Sequence, residues 1–480
     1  MHRTTGIILA GVFIAFAAET SRSRAAIETV SLATSLSSLG SLSSLSSRSQ
    51  VGGSSGGPSV AAQDVAAVLG AARGVPPLIC AFAAQAVWGG GWGYNDAPSS
   101  PVASEVANRI REMSREKFGA ADVRLLLDSL ASTDACVREL SVRLLGRQQR
   151  DESVVTGLVE RLSSRTPELR EVAALGLGFI QPKTVVDPLV RALRDATPGV
   201  RANSAWALGR IDDGRALRPL MDLLRDDEAS VREAAAIAVG RMDSSSAIEA
   251  LVRVVREDAS PTVRRSAAWA LGQLEARSAV DVLIAVLRQD VDERVREMAA
   301  WALGSLDSRA AAPGLIGALR RDSSDRVRET SAWALGEVGD RTAVDILGDA
   351  VRSDKASRVR GTAAWALGQL DTHAAPRGLI EGLTDQDDDV RLKTAWALGQ
   401  IGDSSAVPAI QAALKAEKND RARKAEIRAL LESGGRSEAM LTDLLRSSDP
   451  TVRDAAVRGL AGSHSFNPWP WPWPRPRPFP

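Results

Sequence analysis

Between Ala121 and Gly462 the apolar positions of this chain fall into a ten-residue pattern that keeps returning. It reads VRELSVRLLG from Val137, LREVAALGLG from Leu169, VRANSAWALG from Val200, VREAAAIAVG from Val231 and VRRSAAWALG from Val263. VREMAAWALG from Val295, VRETSAWALG from Val327, VRGTAAWALG from Val359 and VRLKTAWALG from Val390 follow, with weaker copies at Ala422 and Val452. Successive starts are separated by 30 to 32 residues, which is the behaviour of a structural repeat. At about 100° per residue, the Val at position zero and the residues at positions four, seven and eight share an arc of roughly 100°, the width of a helix's core-facing stripe. A second apolar segment precedes each copy, as in VVDPLVRAL from Val185, AVDVLIAVL from Ala279 and AVDILGDAV from Ala343. Each unit therefore predicts two helices of about ten to twelve residues joined by tight turns. Asp212, Asp307, Asp340, Asp371 and Asp403, with Gly339 and Gly402, punctuate the turns after the second helices.

A lone hairpin cannot bury its apolar stripe, so neighbouring units must stack. The predicted fold is all-α, an α-solenoid of about eleven HEAT-like helical hairpins with disordered termini. The V-R-x-x-A-x-x-A-L-G pattern resembles the HEAT-like repeats of the phycobilisome lyase family. That resemblance implies the solenoid fold and, in its second helices, a concave surface; repeats of this type serve lyase subunits, adaptors and scaffolds alike.

The flanks divide the rest of the chain. Residues 1–17 read as a signal peptide, with His2 and Arg3 before an apolar run from Gly6 to Ala18 and small residues at Ala15 and Ala17. An uncleaved anchor is the alternative, although that run is short for a membrane span. Residues 18–62 form a Ser/Leu/Gly-rich linker, and the G-x-S-x-G within it lacks the strand and helix of a hydrolase elbow. Residues 63–120 form a helical cap, residues 121–462 the repeat array and residues 463–480 an extended tail. The cleaved signal predicts a periplasmic or secreted protein, in which Cys80 and Cys136 could form one disulfide.

Catalytic chemistry finds little to work with. The only histidines are His2, His373 and His464, and no His-Glu pair occurs, so the di-iron site of the similar deoxyhypusine hydroxylases has no ligands here. No phosphate loop or zinc-protease motif is present. The acidic cluster Asp385, Asp387, Asp388 and Asp389 lacks the glycine and distal glutamate of a calcium loop. Sixty basic residues against 59 acidic ones leave a net charge of +1, which argues against nucleic acid. The expectation is a non-enzyme with no cofactor and no metal.

Binding features remain. Position six lies off the core stripe and holds Trp206, Trp269, Trp301, Trp333, Trp365 and Trp396, which predicts either an aromatic ladder contacting a peptide or wedges between adjacent helices. Arginines at position one, from Arg138 to Arg453, are read as an inter-repeat ion-pair ladder close to acids such as Asp325 and Asp389. The tail alternates proline with Trp469, Trp471, Trp473, Arg475, Arg477 and Phe479, enforcing polyproline II and resembling Trp- and Pro-rich antimicrobial peptides. It could act as a recognition ligand, a membrane-interface anchor or a plain extended terminus, and it could dock on the tryptophan-lined face. The function that follows is an exported scaffold binding a protein or extended peptide. The alternatives are an accessory subunit presenting a substrate protein to an enzyme, and an envelope-associated protein that meets the membrane only through its tail or an uncleaved signal.

Overall fold

The computed structural model describes residues 118–148 and 151–433, with isolated positions between 65 and 69 and between 442 and 457. The expectations for the signal segment, the linker, nearly all of the cap, the tail and Cys80 lie outside the described residues. Contacts divide the chain into two compact units, residues 1–242 and 243–480.

In the first unit the helices are α1 (Ala120–Ser129), α2 (Ala135–Leu145), α3 (Glu152–Leu162), α4 (Pro167–Ile180), α5 (Val186–Ala192), α6 (Pro198–Ile211), α7 (Leu217–Asp222) and α8 (Ala229–Arg241). The second unit holds α9 (Ile248–Glu257), α10 (Pro261–Gln273), α11 (Val280–Gln289), α12 (Glu293–Ser305), α13 (Ala312–Arg321) and α14 (Asp325–Val338). It continues through α15 (Val344–Ser353), α16 (Ser357–Gln369), α17 (Arg377–Glu381), α18 (Asp388–Ile401), α19 (Val407–Ala416) and α20 (Asp420–Ser433). Odd-numbered helices are the first of each hairpin and even-numbered ones the second. The described residues contain no strand, so this is the all-α hairpin array that the periodicity requires.

From α10 to α18 the second helices run 13 or 14 residues, slightly longer than the spacing alone predicts, while most first helices have ten and follow a one-turn 3-10 segment. The caps explain the boundaries. Pro167, Pro198 and Pro261 open α4, α6 and α10, where a missing N–H costs nothing. Gln181, Asp212, Asp307, Gly339 and Gly402 stand in left-handed backbone at or just beyond the ends of second helices. Asp212 and Asp307 thus serve the same stop as the two glycines, as short polar side chains tolerate that region. Asp340 and Asp403 act one step later, accepting from Thr342 N and Ser405 N to start the next 3-10 turn.

Within each unit the second helices pack on one another in sequence: α4 on α6 and α6 on α8, then α10 on α12 and so on to α20. Position zero is valine with no more than 1% exposure from Val200 to Val390, and the alanines and leucines at positions seven and eight are fully buried beside it. Burial at this density contributes most of the stabilisation, at roughly 25 cal/mol per Å² of apolar surface.

Candidate interaction surface

A column of glycines sets the distance between second helices. A Cβ placed on Gly368 would lie 2.5 Å from Trp396 Cζ3 and 2.9 Å from the Ala397 Cα on the next helix. Gly272, Gly304 and Gly336 meet Trp301, Trp333 and Trp365 and the following alanines in the same way, and Gly178 meets Trp206 and Ala207. Glycine at position nine of one helix is therefore the seat for the indole at position six of the next. The helix backbones approach more closely than any side chain would allow.

This seating decides what the indoles present. Trp206, Trp269, Trp365 and Trp396 are 2 to 7% exposed and offer a partner little surface, and Trp206, Trp365 and Trp396 pack against the glycine of the preceding second helix. Trp301 and Trp333, on α12 and α14, stay partly exposed. The six indoles do not form one open ladder. The predicted surface narrows to this pair in the second unit.

Glu297 and Glu329 stand one turn before Trp301 and Trp333 on the same faces, and both are partly buried. Burial pushes both carboxyls up from their ordinary value. Arg326, Arg265 and Arg358 pull Glu297 back, and Arg358, which pairs with Asp325, also reaches Glu329 at 3.6 Å. Among the described residues no hydrogen bond or ion pair engages Glu297. Two parallel stripes result, each an acid followed by a half-open indole. They suit a cationic or amide-bearing segment crossing both helices.

The arginines at position one form a ladder, but with other partners than the acids nearest in sequence. Arg264 holds Asp290 through Nε and Nη2 at 2.7 and 2.8 Å, and Arg296 holds Asp322 at 2.8 and 2.9 Å. Arg328 pairs with Asp354, Arg360 with Asp385 and Arg391 with Glu417, and in the first unit Arg170 pairs with Asp195 and Arg201 with Asp226. Each partner sits 25 or 26 residues downstream, in the turn of the next hairpin. That turn's aspartate accepts from the backbone N–H two residues on, while its own carbonyl accepts from the next arginine, as Asp290 and Asp322 do from Arg296 and Arg328. Asp325 and Asp389 are not rungs. They stand in the first turns of α14 and α18 and pair with Arg358 and Lys393.

In the first unit, the sequence did not reveal a mixed stack. Arg143 lies over the Phe179 ring at 4.9 Å, Phe179 meets Trp206 in a T-shaped contact at 5.3 Å, and Arg210 lies over the Trp206 ring at 5.0 Å. The signal was available, since Phe179 and Arg210 both occupy position ten, one turn past the indole position. Cys136 is buried at the start of α2, and its proposed partner lies outside the described residues, as do Trp469, Trp471, Trp473, Arg475 and Arg477. No group of His, Cys, Asp or Glu that could hold a metal exists among the described residues. No described helix is long and apolar enough to cross a membrane.

The family model of HEAT repeats matches six overlapping stretches, 123–198, 155–240, 186–260, 248–336, 312–379 and 376–461. The chain belongs to the HEAT-repeat family. Among solved structures, importin beta in an ammonium sulfate condition is similar over 79% of this chain and 64% of its own, with a TM-score of 0.55 and 14% identity. Kap95p bound to RanGDP matches over 88% of this chain and 66% of its own, with a TM-score of 0.52 and 12% identity. The CpcE and CpcF complex of phycocyanin lyase from Nostoc covers 52% of this chain and 93% of its own, with a TM-score of 0.32 and 23% identity. The likenesses to importin beta and Kap95p show the fold. The comparison with curated proteins found no match.

Proposed function

We propose that this chain is a non-catalytic scaffold that holds a segment of a partner protein along the face of its second helices. The observation that carries this reading is the pair of acid–indole stripes on α12 and α14, where Trp301 and Trp333 stay partly exposed while four equivalent tryptophans are buried. A tryptophan left partly open beside an under-paired carboxylate suits a contact made with another molecule. The N-terminal apolar run supports an exported protein, which N-terminal sequencing of the mature chain from the native host would test.

Site-specific photo-crosslinking tests the scaffold reading. A crosslinking residue at Gln273 or Glu337, both exposed on second helices, should trap the partner. The same group at Arg288 or Gln289, exposed on the first helix α11, should not. Equal adducts on both faces, or adducts confined to the first helices, would remove the proposal, as would adducts unchanged by a Trp301→Ala, Trp333→Ala double variant.

A further inference from the structure

Each first helix from α9 to α15 carries a cation at the same place in its last turn. Arg256, Arg288, Arg320 and Arg352 stand two residues before the C-cap aspartates of α9, α11, α13 and α15, where they answer the negative end of the helix dipole. That regular charge needs no ligand to explain it. Two further cations depart from the pattern. Arg321 stands where α9, α11 and α15 carry Glu257, Gln289 and Ser353, and Lys355 follows its cap where the other three turns carry Ala259, Val291 and Ser323. Both line the same feature, an open groove of about 530 Å³ between α13 and α15.

The acids of this groove are already engaged. Asp322 accepts from Arg296 at 2.8 and 2.9 Å, Asp354 accepts from Arg328 at 2.8 and 3.0 Å, and Asp349 accepts from Arg352 Nη2 at 2.6 Å. Among the described residues no hydrogen bond or ion pair engages Arg320, Arg321 or Lys355, and all three are exposed. Gly317 leaves room for Arg321 to fold back along α13, since a Cβ there would lie 3.1 Å from Arg321 Nη2. The groove therefore holds an excess of positive charge on its walls, above a floor of Leu319, Ile346 and Ala350.

We infer that the groove between α13 and α15 is a second docking site, which takes an acidic peptide segment by pairing its carboxylates with Arg321 on one wall and Lys355 on the other. Charge complementarity selects the occupant, and guanidinium groups match carboxylates in geometry as well as sign. A groove of this size suits a short run of peptide rather than a single small anion. A nucleic-acid strand is disfavoured, because a net charge of +1 supplies no field to hold a polyanion. No residue of α11, which carries the negative control of the crosslinking test, lines the groove.

Isothermal titration of the full chain with acetylated, amidated Glu-Glu-Leu-Glu-Glu, at constant ionic strength, tests the site. Saturable binding is expected, and the Gln-Gln-Leu-Gln-Gln peptide should not bind. Arg321→Gln and Lys355→Gln should each weaken binding about threefold to fivefold, the scale of an exposed ion pair, and the double variant about tenfold or more. Arg256→Gln removes the same charge from an exposed position outside the groove and should leave binding unchanged. Far-UV circular dichroism and the melting temperature establish that each variant is folded. Absence of binding to the wild-type chain, or an equal loss in Arg256→Gln, overturns the site. So does tighter binding of inorganic phosphate or of a single-stranded oligonucleotide than of the peptide. The Trp301→Ala, Trp333→Ala double variant should bind the peptide as the wild type does, so this site and the scaffold reading fail separately; loss of binding in that variant would overturn the separate location.

Discussion

The glycine seats make the same substitution carry opposite signs at two positions. Alanine is preferred over glycine in a helix interior by about 1 kcal/mol. At Gly317, within α13, the only atom that a Cβ would approach is Arg321 Nη2 at 3.1 Å, the free end of a flexible side chain. Gly317→Ala should therefore stabilise the protein by about 0.5–1 kcal/mol. At Gly368 the same Cβ would meet Trp396 Cζ3 at 2.5 Å and the Ala397 Cα at 2.9 Å. Carbon atoms are comfortable at about 3.5 Å or more, so the overlap is near 1 Å. The indole could shift, but the α18 backbone cannot move without lifting a whole helix. Overpacking of this kind costs about 1–3 kcal/mol, and the backbone contact places it near the upper end, leaving a net loss of about 2 kcal/mol after the helix gain. Urea unfolding followed by far-UV circular dichroism would separate the two variants. Amide exchange across α16 and α18 would localise the change, since unfolding of a repeat array need not be all-or-none. Trp396→Leu in the Gly368→Ala background should recover part of the loss, with a coupling of about 1 kcal/mol. If Gly368→Ala stabilised the chain as much as Gly317→Ala, the seating would not be what holds the second helices together.

Other expectations concern charges and the buried indoles. Asp322→Ala removes the 8% exposed partner of Arg296 and should cost about 3 kcal/mol, with faster amide exchange in α12 and the turn before α14; a loss below 0.5 kcal/mol would make the ladder decorative. Glu426 is fully buried in α20, with both carboxylate oxygens unpaired, where the other second helices carry Ala, Ser or Thr. Burial first and then Glu417 push its carboxyl up to about 8. The folded state thus favours the protonated form, and the associated stability is present below the ordinary carboxyl range and lost as pH rises towards 8. Glu426→Ala should gain on the order of 3 kcal/mol at pH 8 and little at pH 4, measured by denaturant midpoints, and a pH-independent effect would refute the burial argument. Trp365→Ala, at a residue 2% exposed, should cost about 3–5 kcal/mol, whereas Trp301→Ala at its half-open site should cost distinctly less by the same measurement.

The hairpin array was legible because its signal is local and repeated: valine at zero, a small residue (Ala, Ser or Thr) at four and leucine at eight set the core stripe in nearly every copy. The position of the indoles was legible too, since position six falls away from that stripe. Which of them wedge between helices and which stay open was not, because the glycine that receives Trp396 belongs to the previous helix and the sequence does not say how close two helices come. The arginine ladder itself was legible, but its acidic partners were not, for the same reason. Asp325 and Asp389 are near neighbours in sequence, while the true partners Asp354 and Glu417 are reached only after a whole hairpin has folded back. The Phe179–Trp206–Arg210 stack requires three residues on two helices and appears only when position ten is read together with position six.

The rungs between hairpins have one further consequence. Each arginine from Arg264 to Arg391 reaches only as far as the adjoining turn, and that turn's carbonyl is taken by the arginine of its own hairpin. Every joint therefore has the same male and female parts. A hairpin copied or excised between two such joints would find matching ends on both sides. Length in this part of the molecule is an adjustable quantity, which gene duplication could change in steps of 31 or 32 residues without inventing a new contact.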